Sequence, residues 1–166
     1  MDYRLRETDA DALICAGAKV SGDVTLGHGV SVWYNAVIRG DQGAIVVGED
    51  TNVQDNAVIH EPTVIGRGCT IGHSAIVHAC TVGDNTLIGM GSIILSGARI
   101  GSNCIVGAGA VVTGKTVAPD GSMLLGSPAK VVRSLTEEEI ARNRRSTAEY
   151  LQSAAEYRAW AEEQKS

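Results

Sequence analysis

Phenylalanine is absent from this 166-residue chain, and its aromatic residues are two tryptophans and four tyrosines. An interior without phenylalanine must be filled by aliphatic and small side chains, which suits a narrow space. Apolar runs near the ~20 residues that a membrane-spanning helix needs are also missing. The opening stretch, MDYRLRETDADA, is polar and lacks the apolar centre of a secretory signal, so a cytoplasmic location is expected. Basic charge is not in excess. The formal net charge of −5 argues against a nucleic-acid or membrane-surface role. The four cysteines show no C-x-x-C spacing. Cys69 and Cys104 read as reduced core residues, and Cys80, near His78, is not assigned as a ligand.

What is present is a period. Aliphatic residues recur every six positions at Ile14, Val20, Leu26, Val32 and Ile38, then from Val47 through Val53, Ile59, Ile65 and Ile71 to Val77. A five-residue step leads to Val82, and the six-residue step resumes at Ile88, Ile94, Ile100, Val106 and Val112. Four positions after many of these stands a small or β-branched residue, among them Thr51, Ala57, Cys69, Ala75, Thr81 and Cys104. A helix would repeat near 3.6 and a simple strand near 2, so neither fits. A period of six reads as short strands joined by corners, the hexapeptide β-helix. The expected fold is mainly β, with a β-helix domain over residues 1–133 and a C-terminal α-helix over 134–166 packed on it.

Gly126-Ser127-Pro128-Ala129-Lys130 reads as the crossing to that helix. Ser134 with Glu137, and Thr136 with Glu139, both have the spacing of a capping box. The helix is expected from about Thr136 to about Glu163, with Ile140, Thr147, Leu151, Ala154 and Arg158 forming a modest apolar stripe that packs along a prism face, its own or a neighbour's. Trp33 and Tyr34 point outward and read as an intersubunit contact.

Three faces make one coil of about 18 residues, and residues one coil apart stack at ~4.8 Å. His60 and His78 are one coil apart and should share a face, with Arg39 in the same column one coil earlier. His73 sits on the preceding face, and Asp55 lies one coil before it. On one prism these two sets lie around a corner from each other; two prisms side by side would bring them together. A homotrimer with a shared site is therefore expected. His60, His73 and His78 are a natural zinc set that leaves a fourth position open to water, whose pKa falls towards ~7. Fe2+ or Co2+ would suit the same ligands. Arg39 and Asp41 read either as a pair across the subunit boundary or as a solvated surface pair. Gln54 either holds water or substrate by hydrogen bonds or belongs to a polar corner. Tyr150 either reaches the site from the helix or simply packs there.

With these residues in place, the chain resembles the gamma-class carbonic anhydrase family. The likeness rests on RGD at 39–41, NVQD at 52–55, His60 and GHSAIVH at 72–78, and extends over nearly the whole chain. It implies a left-handed β-helix and a trimer with three interfacial zinc sites. His60 and His78 would come from one subunit and His73 from its neighbour. Arg39 and Asp41 would be interface salt-bridge residues, Gln54 would sit near the metal-bound water, and Tyr150 would be an active-site tyrosine. The implied reaction is zinc-hydroxide hydration of CO2 to bicarbonate. One departure weakens it: only Glu61-Pro62-Thr63 follows His60, where well-studied active members carry a long acidic loop with a proton-shuttling glutamate. The short loop is closer to relatives encoded in carnitine and phenylacetate degradation operons. The alternatives are therefore acyl-CoA thioester hydrolysis at the same metal site and a non-catalytic accessory trimer. Hexapeptide acyl transfer is a third, disfavoured by the three-histidine spacing.

Overall fold

Each six-residue step of the sequence forms one short strand and one corner, and the strands stack coil upon coil. The computed structural model describes residues 4–6, 9 and 12–164 as a parallel β-solenoid with one α-helix. One face carries residues 37–40 of the strand Val37–Val47, then Val58–His60, Ile76–His78, Ile93–Ile94 and Val111–Val112. The second carries residues 45–47, Thr63–Ile65, Thr81–Val82, Arg99–Ile100 and Val117–Ala118. The third runs from Leu13–Ile14 through Ser31–Val32, Asn52–Val53, Thr70–Ile71, Leu87–Ile88 and Ile105–Val106 to Ser122–Gly126. Outside this prism, Leu5–Arg6 pairs antiparallel with Lys19–Leu26; the remainder of residues 1–11, apart from 4 and 9, lies outside the described residues.

The periodic aliphatic residues line the interior in columns. Ile38, Ile59 and Val77 stack in register on the first face, and Val53, Ile71 and Ile88 on the third. All six are fully buried. Each such side chain contributes about 1.5–3 kcal/mol relative to an exposed position. The five-residue step from Val77 to Val82 shifts the small inward position by one. Cys80 fills it, and Thr81, which stands four positions after Val77 as the small residues do in other repeats, is exposed. That step accounts for the cysteine the six-residue pattern left unplaced.

Three corners close each coil, and each is a column of left-handed residues. Asn35, Asn56, Ser74, Gly91 and Gly109 form one column. Asp50, Gly68, Asn85, Asn103 and Gly121 form the second, and Glu61, Ala79 and Gly97 the third. Glycine, asparagine and aspartate adopt this conformation at low cost. Among the described non-glycine residues with positive φ, Glu61, Ser74 and Ala79 alone are neither Asn nor Asp. They directly follow His60, His73 and His78.

The C-terminal end departs from expectation in one respect. Gly126–Ala129 closes a hairpin, and Ala129–Ser134 adds an antiparallel strand to the third face before the helix begins. The third face thus continues through Ser122–Gly126 and turns back on itself, where a simple crossing to the helix was expected. The helix α1 spans Glu137–Glu163, and of the two capping boxes the Thr136–Glu139 one forms, with both reciprocal bonds present. α1 packs on the third face, near Ser31–Val32, Asn52–Val53 and Thr70–Ile71 of its own chain. Its buried residues are Asn143, Thr147 and Ala154, whereas Arg158 is exposed. Asn143 donates to the carbonyls of Asn85 and Cys104, and Thr147 to that of Gly68. Corner carbonyls are fixed acceptors, so Asn143 and Thr147 dock this helix by hydrogen bonds, while Ala154 packs with Leu13, Cys15, Trp33 and Tyr157. Trp33 packs edge-on against Tyr150 and Tyr157, and Tyr34 against Tyr157, so the chain's own helix contacts the aromatics read as an intersubunit patch.

Candidate metal centre

The strand pairing puts Arg39, His60 and His78 side by side in one column of the first face. The two imidazole rings lie with centroids 5.3 Å apart and planes inclined at 71°. The pause in the repeat between Ile38 and Val47 is a bulge within a continuous strand, at the register shift opposite Gly22–Val24. Asp41 sits on this bulge. Its Oδ1 lies 3.0 Å from Nε2 of His60, and its Oδ2 accepts a hydrogen bond from Arg39. The Arg39–Asp41 pair therefore forms within the chain.

Asp41 is nearly buried, which by itself would push its carboxyl pKa up. The hydrogen bonds from His60, its own backbone N–H and Arg39, with the Arg39 charge, outweigh that and hold it below the usual carboxylate range. An ionised carboxylate only accepts, so Nε2 of His60 is the donor in this hydrogen bond. A carboxylate behind an imidazole is the common arrangement for orienting a metal-ligating histidine. His78 is held at Nδ1 by the Ser96 hydroxyl, 3.0 Å away.

His73 belongs to a different corner, and within one chain it does not join this pair. Its Nδ1 lies 2.7 Å from Asp55, one coil earlier, and its backbone N–H donates to Oε1 of Gln54. Gln54 is buried, and its amide also donates to Asn52. Tyr150 reaches over from α1 to the same region. Gln54, His73 and Tyr150 line a cavity of about 310 Å³ with Leu87, Met90 and Ile105. Burial and the nearby Asp55 charge both push the Tyr150 phenol pKa up, so it stays protonated at neutral pH.

The seven candidate residues thus form two groups on one chain: Arg39, Asp41, His60 and His78 in one, Gln54, His73 and Tyr150 in the other. The donor chemistry of the first group fits a divalent cation, with two neighbouring imidazoles, one backed by a carboxylate. Among the described residues, His60 and His78 gather a third donor, Glu61, with the three ligand atoms all within 4.8 Å of one another. Glu61 was not among the expected ligands. The signal that would have found it is its adjacency to His60 at a tight corner.

Comparison with known proteins bears directly on this arrangement. The family model for the bacterial transferase hexapeptide (six repeats) matches residues 44–79 and 79–114. A protein of Methanocaldococcus jannaschii named "Probable carbonic anhydrase" is 50% identical over 131 residues, covering 76% of this chain and 82% of that protein. This chain belongs to the gamma carbonic anhydrase family. "Gamma carbonic anhydrase 1, mitochondrial" of Arabidopsis thaliana is 42% identical over 143 residues, 80% of this chain and 52% of that protein. The chain thus spans about half the length of that relative. The carnitine operon protein CaiE of Shigella flexneri is 37% identical over 143 residues, 84% of this chain and 73% of CaiE. Among solved structures, a hexapeptide transferase family protein from Anaplasma phagocytophilum superimposes with a TM-score of 0.87 at 43% identity, covering 90% of both chains. No helix among the described residues is long and apolar enough to cross a membrane.

Proposed function

We propose that this gamma carbonic anhydrase family member hydrates carbon dioxide to bicarbonate in the cytoplasm, as a homotrimer with one zinc site at each subunit boundary. His60 and His78 of one subunit and His73 of the next would hold the ion. When bound, zinc supplies the Lewis acidity that brings the ionisation of water into the neutral range. The chain's own residues do the rest. Asp41, held by Arg39, fixes the tautomer and direction of His60. Gln54 holds the backbone at His73 and keeps a second amide N–H free to orient a small polar substrate. Tyr150 walls the cavity as a neutral hydrogen-bond donor.

The observation that carries this reading is the in-register His60–His78 pair with Asp41 behind it. The same face supports the boundary. Its outward column of Val37, Val58, Ile76, Ile93 and Val111 is apolar, and α1 packs chiefly on the third face instead. Stopped-flow hydration by zinc-loaded protein, with His78→Ala as control, tests the reaction. Turnover lost in the control is expected. Turnover no faster than buffer in metal-replete protein would refute it.

A second reading, acyl thioester hydrolysis at the same site, draws on the cavity beside His73, which is far larger than carbon dioxide needs. Release of free thiol from short acyl-CoA esters by the metal-loaded protein would support it. No release from any of them would remove it.

A further inference from the structure

Glu61 occupies a position that its backbone does not favour. It has φ 63°, and one and two coils later the same corner is turned by Ala79 and Gly97. Residues held in left-handed conformations against their preference collect at functional sites, where the surroundings enforce them. Here the enforcement is visible. Thr63 donates to the carbonyl of His60, and the N–H of Ala79 donates to the same oxygen. Pro62 lies so close to Gly43 of the bulge that a Cβ there would stand 2.4 Å from its ring. The corner is a rigid mount, and it brings the Glu61 carboxylate to the two imidazoles of His60 and His78.

We propose that Glu61 is a metal ligand, completing with His60 and His78 a two-histidine, one-carboxylate set contained in a single protomer. Three anchored donors of this type hold a divalent first-row cation with positions to spare. His73 cannot contribute within the protomer, because it sits at another corner against Asp55. The cation is therefore captured by one chain alone, and the histidine of a second copy is added afterwards. With His73 of a second copy added, Glu61 would stand beside the three histidines as a further donor. This inference rests on the His60–His78 pair being the metal site of the proposed function, and not on the identity of the reaction.

The test is a Co2+ titration followed by visible absorption and by chelator competition, with His73→Ala as the background that removes the second copy's ligand. The His73→Ala protein is expected to bind one Co2+ per chain, within about tenfold of the parent affinity. Adding Glu61→Gln should weaken binding by about a hundredfold and change the cobalt absorption envelope. Glu61→Gly serves as a second variant that relaxes the left-handed corner. It should match or raise the melting temperature of the metal-free protein while losing affinity like the Gln variant. Unchanged affinity and spectrum in both Glu61 variants would overturn the ligand assignment, with His60→Ala still abolishing binding and so preserving the site itself. Loss of all binding in His73→Ala would overturn single-protomer capture. No Co2+ bound by the unsubstituted protein would overturn both this inference and the metal reading beneath it.

Discussion

The first and third faces of the solenoid are built from the same repeat, yet they meet their surroundings differently. The third face contacts α1, and the chain ties that cover down with Asn143 and Thr147 on corner carbonyls. The first face presents five aliphatic side chains outward, with Ile76 39% exposed, and carries His60 and His78 at its edge. A solenoid always has more outward face than it can cover. Where the chain supplies its own cover, polar bonds to corner carbonyls stand beside an apolar cluster of Leu13, Cys15, Ala154, Trp33 and Tyr157. Where it does not, the apolar column and the half-complete ligand set lie together, which is the arrangement a second copy would complete.

The largest effect should come from the first face. Ile76→Lys places a charge in the column and should reduce the assembly to monomer in analytical ultracentrifugation. Val117→Lys, on the second face at 71% exposure, should leave assembly unchanged. If both variants sediment like the parent, the first face is not an interface. Next comes what the faces share. Ile59 is fully buried in the interior column, and Ile59→Ala should cost about 2–5 kcal/mol in urea denaturation. The covered face should respond less. Asn143→Ala removes the side-chain donor from the Asn85 carbonyl and leaves the Cys104 carbonyl to the Leu87 N–H alone, and should cost about 1–3 kcal/mol, lost from the helix signal first.

The smallest effect is a pH dependence at the start of α1. Two hydrogen bonds from Arg133, then the bond from the Thr136 backbone, lower the Glu139 pKa to about 2 from its ordinary 4.5. A depressed acid stabilises the fold fully above its unfolded value, and that contribution fades as pH falls from about 4.5 towards 2. Glu139→Gln should flatten the melting temperature over that window. A parallel decline in parent and variant would show that the bridge contributes nothing.

Much of this was legible in the chain because a six-residue period leaves few choices of side-chain direction. The interior columns follow from Ile59, Ile71 and their equivalents, and the shared column of His60 and His78 follows from their 18-residue spacing. Family membership was carried by short motifs around those same residues. What was not legible depends on events that a period does not encode. The five-residue step exchanged Cys80 for Thr81 inside. The hairpin at Gly126–Ala129 hid in a segment read as a simple crossing. Asn143 escaped notice because a buried polar helix residue is explained only by acceptors 39 and 58 residues away in sequence. Glu61 looked like a remnant of a shortened loop until its left-handed backbone set it beside both imidazoles.

The central claim, that one subunit's His73 serves the next subunit's His60 and His78, is tested most directly by complementation. His73→Ala and His78→Ala proteins are unfolded, mixed in equal amounts, refolded with zinc, and assayed for carbon dioxide hydration by stopped flow. Each alone should be inactive. Random assortment makes about a quarter of the boundaries complete, so the mixture should recover about a quarter of the parent rate. A mixture as inactive as its components, beside an active refolded parent, would contradict the shared site.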